Sequence, residues 1–278
     1  MLNSLMKKRL LLFLDDDHAS KDITTGLLRE GKCRAKVMAN KSCLLAGIEE
    51  AKFLFGSRGA SAKALKKDGQ TVRRGQAVME IKGSNKSVLP IERTALNVLG
   101  RMSAVATCCG YAKRKAGNKV RVALTRKTTP GFGMFEKKAA GLSAEIWPHR
   151  KDLEEMFLVK DNHLAFGGVE KLLGKAKEAK RKTGKKVEIE VENFKQLRQA
   201  LEYSPDIIML DNMPVARIKK AVALIRARSR ALIELSGGIN LGNIRKYSGL
   251  GADIISMGAL TKDSGIIDFS LEVKKDGH

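Results

Sequence analysis

The sequence lacks a membrane span: no apolar run approaches the roughly 20 residues that one requires. Its four cysteines, Cys33, Cys43, Cys108 and Cys109, form no CxxC pair. Adjacent Cys108 and Cys109 are poor chelating geometry, so neither a zinc site nor a disulfide framework can be argued. No GxxxxGK[ST] occurs, which excludes a P-loop, no GxGxxG follows a strand-like run, and there is no HExxH or Cys/His constellation. Aromatic residues are sparse, with three Tyr and one Trp, and they form no RNA-binding signature. A basic start (Lys7, Lys8, Arg9) followed by "LLLFL" has the outline of a signal peptide. That core is too short, and Asp15, Asp16 and Asp17 stand where a small-residue cleavage site belongs. The expectation is a cytoplasmic protein.

What is present is a globular composition: 278 residues, 43% hydrophobic and 30% charged, long enough for one large domain or two smaller ones. The net charge of +23 has two readings, a polyanion or membrane surface as partner, or small anionic substrates plus solvated basic helices. Residues 175–186 alone carry seven Lys/Arg, the pattern of a helix face or end in water.

The chain changes character near residue 90. Before it lie "CRAKVMA", "CLLAGIEEAKFLF" and "KKDGQTVRRGQAVMEIKG", where Asp68-Gly69 and Arg74-Gly75 are turn signals between short strands. Pro90 then opens a helical pattern from Ile91 to about Ala116, with Gly117 beyond its end. From there strand-like runs alternate with amphipathic helices: 120–124, 156–159, 187–191, 206–210, 231–235 and 253–257. This alternation predicts a parallel sheet with helices outside, of six strands and a seventh near residue 144. That number fits an incomplete barrel or an open sheet.

The stretch "LTRKTTPG" (124–131) poses the functional question: an apolar run ends in Arg126 and Lys127, a planar fork of donors beside a point charge. The plain reading is a solvated strand end; the sharper one is an anion seat. Every other strand-like run also ends in polar groups or glycine: Lys160-Asp161-Asn162-His163, Glu190 with Glu192, Asp211-Asn212, Ser236-Gly237-Gly238, and Gly258. Parallel strands bring their carboxyl ends to one rim, where α/β folds bind ligands. Cations there suit carboxylate or phosphate, two separated carboxylates suit Mg²⁺ shared with a diphosphate, and "SGG" and "MGA" expose backbone N–H groups to a phosphate. In "VEIEV", period two puts Glu188, Glu190 and Glu192 on one face; for Glu188 and Glu192 a solvated edge face is expected. His149 and His163 lie near the rim, and the His149-Arg150 pair just before a strand is a plausible anion contact.

Nine motifs carry a family likeness: "DITT" (22–25), "IERTALNVLGRMSAVAT" (91–107), "TRKTTPGF" (125–132), "HR" (149–150), "LVKDNH" (158–163), "EIEVEN" (188–193), "IIMLDN" (207–212), "LSGGI" (235–239) and "ISMGALT" (255–261). In this order they resemble the quinolinate phosphoribosyltransferase family, from about residue 15 to the end of the chain. The resemblance implies an N-terminal α/β sandwich domain (1–95) and an incomplete parallel α/β barrel carrying the phosphoribosyltransferase site (96–278). It implies transfer of ribose 5-phosphate from phosphoribosyl pyrophosphate to the ring nitrogen of quinolinate, with loss of pyrophosphate and CO₂ to give nicotinate mononucleotide for NAD biosynthesis. Carried over by position, Arg126, His149 and Arg150 would hold the quinolinate carboxylates, joined by Arg93 reaching across from the partner of a homodimer. Lys127 and Lys160 would face phosphates, and Glu190 and Asp211 would steady the ribose hydroxyls and Mg²⁺. Ser236, Gly237 and Gly238 with Ser256, Met257 and Gly258 would cradle the 5-phosphate, and Thr125 would complete the binding set.

Three departures from the family pattern flank this site. Gly133 stands where the family usually has an arginine, "GLSAEIWPHR" with Glu145 and Trp147 replaces a glycine-rich run, and Lys262 replaces a histidine after the last strand. The first two bear on which acid is bound. The alternatives are a paralogue of the molybdenum-transport-associated type acting on another acid, which generally lacks the "KDNH" kept here, and a basic nucleic-acid binder without catalysis. The binder would explain +23 but not mixed-sign groups at successive strand ends.

Overall fold

The computed structural model describes residues 2–143, 146–147 and 149–274. In chain order the elements begin with α1 (Ser4–Asp16), α2 (Ile23–Gly26), β1 (Lys32–Ala39), β2 (Cys43–Leu44), α3 (Ile48–Gly56), β3 (Ser61–Ala64), β4 (Thr71–Val72) and β5 (Ala77–Ser84). The long helix α4 (Asn85–Ala116) leads to β6 (Arg121–Leu124), α5 (Gly133–Ala140), β7 (Ile146–Trp147), β8 (Phe157–Val159) and α6 (Asp161–Thr183). Then come β9 (Val187–Val191), α7 (Phe194–Glu202), β10 (Ile207–Asp211), α8 (Val215–Arg228), β11 (Leu232–Ser236), β12 (Ile254–Met257), α9 (Ala259–Lys262) and β13 (Phe269–Lys274).

The chain divides into two compact units, one of residues 1–110, 128–144 and 264–278, the other of 111–127 and 145–263. The first is built on an antiparallel sheet of order β13-β1-β5-β3. Strand β1 alternates as the pleat requires, with Cys33, Ala35, Val37 and Ala39 buried. The C-terminal strand β13 pairs with it from Arg34↔Lys274 to Ala39↔Phe269. Gly69 and Gly75 take positive φ, as their turns demand.

Helix α4 starts at Asn85, six residues ahead of the expected Ile91, with Pro90 inside it. The reason is a reciprocal cap. Ser84 Oγ accepts the Ser87 N–H at 3.2 Å, and Ser87 Oγ accepts the Ser84 N–H at 3.0 Å. This cap fixes the first turn, so the helix no longer depends on Pro90 for its start. At the other end Gly117, at φ 71°, stops it as expected.

The second unit carries a seven-stranded sheet, order β7-β6-β12-β11-β10-β9-β8, every pair parallel. The seventh strand is β7, close to the position expected near residue 144. With β7 and β8 as free ends, the sheet is the incomplete barrel foreseen. Its registers sort the side chains. One face bears Val122, Leu124, Ile189, Val191, Ile208, Leu210, Ile233, Leu235, Ile255 and Met257, all buried and apolar. The other bears Glu188, Glu190, Met209, Asp211, Glu234, Ser236 and Ser256. Two-period alternation thus keeps the apolar half for packing and turns the polar half inward.

Candidate functional site

The polar face and the strand ends enclose a cavity of about 490 Å³ within the second unit. Thr125, Arg126, Lys127, His149, Arg150 and Lys160 line it, as do Glu190, Asp211, Ser236, Gly237, Gly238, Ser256 and Gly258. The rim therefore gathers most of the residues picked out from the sequence. Met257 is the local exception: it is fully buried and its side chain falls on the apolar face, leaving only its backbone toward the rim. Arg93 belongs to the other unit, on α4, where its side chain is 66% exposed and lies 4.0 Å from Glu92.

Beyond β6, the Lys127 N–H donates to Thr125 Oγ1 at 3.2 Å, and the buried Thr261 hydroxyl donates to the Lys127 carbonyl at 2.6 Å. Gly258 completes this seat: a Cβ there would lie 3.1 Å from Lys127 Cδ, so glycine lets the lysine stem pass. Across the sheet, Gly237 at φ 99° is held against Asn212, whose side-chain oxygen would be 2.3 Å from any Cβ. Gly238 follows with φ 62°, so two successive glycines at positive φ form a turn with no side chain in the way of an approaching phosphate.

One cation and one acid of the rim form an ion pair. Lys160 Nζ lies 3.2 Å from Glu190 Oε2. Burial raises the Glu190 carboxyl, Lys160 pulls it back, and Asp211 raises it again. The His163 ring accepts the Lys160 backbone N–H through Nδ1 at 3.0 Å, so this histidine caps α6. Arg150 is buried, its Nη1 3.5 Å from the Met156 carbonyl, and burial followed by the Arg126 charge lowers its pKa.

His149 and Arg150 follow β7, at its carboxyl end, which makes them part of the rim by the same rule as the other strand ends. His149 adopts φ 53°, uncommon for a non-glycine residue, and its ring meets Trp147 edge-on at 5.1 Å. Its Nε2 is 3.1 Å from Glu188 Oε2 and 3.2 Å from Glu234 Oε2. Burial opposes the charge, but the carboxylates of Glu188 and Glu234 override it and push the imidazole up to about 10. Glu188 itself is pushed up to about 7 by burial first, with the Glu234 charge adding to it and His149 opposing.

This corrects the expectation for Glu188. It is 0% exposed, facing the barrel interior, whereas Glu192 at the strand's end is exposed as expected. Alternation identifies a polar face but not whether that face looks into water or into a barrel. Glu234 escaped notice altogether, although a glutamate set in the apolar run "ALIEL" was the signal.

Of the departures, Gly133 lies in α5 of the first unit, where a Cβ would come 2.7 Å from Thr128 Oγ1. Trp147 flanks His149, Lys262 lines the cavity, and Glu145 lies outside the described residues.

Two family models match the chain: Quinolinate phosphoribosyl transferase, N-terminal domain, over residues 22–103, and Quinolinate phosphoribosyl transferase, C-terminal domain, over residues 105–272. A Methanocaldococcus jannaschii protein named "Probable nicotinate-nucleotide pyrophosphorylase (carboxylating)" is 38% identical, covering 98% of this chain and 99% of the relative. The human nicotinate-nucleotide pyrophosphorylase (carboxylating) is 35% identical over 87% of this chain and 83% of its own. Among solved structures, the nicotinate-nucleotide pyrophosphorylase from Francisella tularensis superposes with a TM-score of 0.89 at 32% identity, covering 99% of this chain and 98% of that one.

Proposed function

Because the chain belongs to the quinolinate phosphoribosyltransferase family, we propose that it makes nicotinate mononucleotide, pyrophosphate and CO₂ from quinolinate and phosphoribosyl pyrophosphate. The observation that carries this reading is the mixed-sign rim. Arg126, Lys127, His149, Arg150 and Lys160 line one cavity with Glu190 and Asp211. A dianionic acid and a polyphosphate need the cations; a ribosyl cation in the making needs the carboxylates. The relatives' names, together with the "KDNH" segment at 160–163, favour quinolinate over the acid of a paralogue.

In this reading the bond from the anomeric carbon to the diphosphate oxygen breaks and its electron pair leaves with pyrophosphate. The quinolinate nitrogen supplies the pair for the new C–N bond, and the ring becomes cationic. Breaking the C2–carboxylate bond then leaves its pair on the ring carbon beside the cationic nitrogen, CO₂ departs, and a proton from water replaces it. Arg126, His149 and Arg150 orient the two carboxylates. Lys127, seated by Thr261 and Gly258, and Lys160 meet the phosphates, and the Gly237-Gly238 turn takes the 5-phosphate through backbone N–H groups. Glu190 and Asp211 lie along the ribose. They also offer an oxygen-only donor set suited to Mg²⁺ held partly through substrate and water. When bound, that ion supplies charge neutralisation for the departing diphosphate.

The site is completed in a homodimer by the partner's copy of Arg93, which its exposure permits. Mixing R93A and K127A subunits, each inactive alone, restores about a quarter of the activity if sites are shared between subunits, and none if they are not. The whole reading is tested by pyrophosphate release from phosphoribosyl pyrophosphate with quinolinate or nicotinate as acceptor, with and without a Mg²⁺ chelator. Release with quinolinate, together with CO₂ and nicotinate mononucleotide, supports it. Release with nicotinate alone, or with neither acid, refutes it. We place the enzyme in the cytoplasm, among the described residues of which no helix is long and apolar enough to cross a membrane.

A further inference from the structure

The His149 ring, just beyond β7, sits where side chains from β9 and β11 converge. Glu188 from β9 and Glu234 from β11 are both 0% exposed, and both put an oxygen within about hydrogen-bond reach of the same nitrogen, Nε2 (3.1 and 3.2 Å). Neither oxygen of Glu234 has another hydrogen-bond partner among the described residues. A neutral ring with its lone pair on Nε2 would aim that pair at two carboxylates. A neutral ring with Nε2–H would leave the buried Glu234 charge, joined by Glu188 when that is ionised, facing one weak dipole. Both arrangements are costly for groups buried this deeply. The left-handed backbone at His149 and the edge of Trp147 keep the ring in this wedge.

We propose that Glu234 is a positioning residue that keeps His149 an imidazolium and turns it so that Nδ1–H is the donor left for a substrate carboxylate. The inference rests on the function proposed above and deepens it. It makes the acid pocket a fixed array of cations, Arg126, Arg150 and His149, whose third member owes its charge to the acid behind it. The charged groups facing the ring are Glu188 and Glu234. Arg150, next in the chain, acts on Glu188 and partly offsets its charge. With the ring charged, the pocket attracts a dianion throughout the neutral range; with the ring neutral, its pull on the acid would vary with pH. The raised pKa of His149 agrees with the geometry.

The test has two arms. In the ligand-free protein, ¹⁵N-labelled and assigned with H149Q, both ring nitrogens of His149 carry protons from about pH 6 to about pH 9, far above an ordinary histidine. In E234Q, KM for quinolinate rises about tenfold at about pH 8.5 and much less at about pH 6, while kcat and the KM for phosphoribosyl pyrophosphate stay within about twofold; E234D restores part of the loss. A ring that is neutral in the native protein at about pH 8 overturns the proposal. So does a stoichiometric divalent metal on the purified protein bound through Nε2, because metal and proton cannot share that lone pair. An E234Q defect equal in both substrates and flat with pH overturns it too, as the mark of a general structural role. If E234Q does not fold, the resonances of the native ring still decide. A charged ring in a protein that never uses quinolinate would sink the proposed reaction and leave the imidazolium standing.

Discussion

Glu136 in the first unit and Glu234 in the second are both fully buried glutamates, and they are surrounded in opposite ways. Glu136 Oε1 accepts from Arg101 Nε at 3.0 Å, Arg101 Nη2 at 2.7 Å and the Thr129 hydroxyl at 2.9 Å, and its Oε2 accepts the Thr129 N–H at 2.9 Å. Both oxygens are engaged. It fastens α5 and the start of the 128–144 segment to α4 within the first unit. Glu234 has the His149 ion pair and no described hydrogen bond beyond it. A buried acid with its acceptors filled is a fastening. One left short of donors at a cavity wall is a charge held ready to act on a neighbour.

The largest effect that would sharpen this contrast belongs to the rim. Replacing Lys127 by Ala removes a cation that the proposed reaction sets against the phosphates, while leaving the Thr261 contact, which is to its backbone, in place. Turnover should fall by roughly 100- to 1,000-fold, with the unfolding midpoint nearly unmoved. Steady-state kinetics beside thermal unfolding check this. A large loss of stability would mean that Lys127 is structural and would blur the division between the two regions.

Glu136→Ala should do the reverse. It strips four hydrogen bonds from a buried carboxylate, two from Arg101 and two from Thr129, a loss of about 3–5 kcal/mol in urea unfolding. Activity per folded molecule, measured well below the midpoint, should stay within about twofold, since the Glu136 contacts lie in the first unit and the cavity lining in the second. A collapse of kcat without a loss of stability would contradict its role as a fastening.

The two regions were also unequally legible in the sequence. The barrel strands announced themselves because each is a short apolar run closed by polar groups, and the rim followed from the parallel-sheet rule applied to Arg126, Lys160, Asp211 and Ser236. Glu188 and Glu234 were not legible as interior residues, because a polar face inside a barrel has the same period as one in water. The first unit hid more. The start of α4 depends on the Ser84–Ser87 cap, a weak signal beside Pro90. The pairing of β1 with β13 joins Ala39 to Phe269 across nearly the whole chain, and no local pattern encodes such a partner. Local rules capture periodicity and punctuation; they do not say what stands opposite a face.

The cavity cluster should also be visible in stability. The folded pKa of His149 is raised from 6.5 to about 10. The native state therefore holds a proton that the unfolded chain releases between those values. Its contribution is fully present below about pH 6.5 and is lost as pH rises through about 10. Glu188, raised to about 7, works in the same direction at lower pH. Urea unfolding of the native protein should weaken between about pH 6.5 and about pH 9.5 by on the order of 2 kcal/mol more than in the neutral triple variant H149Q/E188Q/E234Q. Equal slopes in the two proteins would mean that the cluster does not hold the extra proton.

The smallest effect comes from the same strand as Glu188 and Glu190. Glu192 is exposed just past the end of β9, and its backbone N–H donates to Gln196 Oε1 at 2.8 Å. Its side chain shares the period of the other two but lies beyond the closed part of the barrel. Glu192→Gln should leave stability within about 0.5 kcal/mol and turnover within about twofold. A loss approaching that of the rim variants would mean that the acidic face of β9 works as a unit out to its end. A silent substitution would set the edge of the site between Glu190 and Glu192, where exposure rather than sequence pattern already draws it.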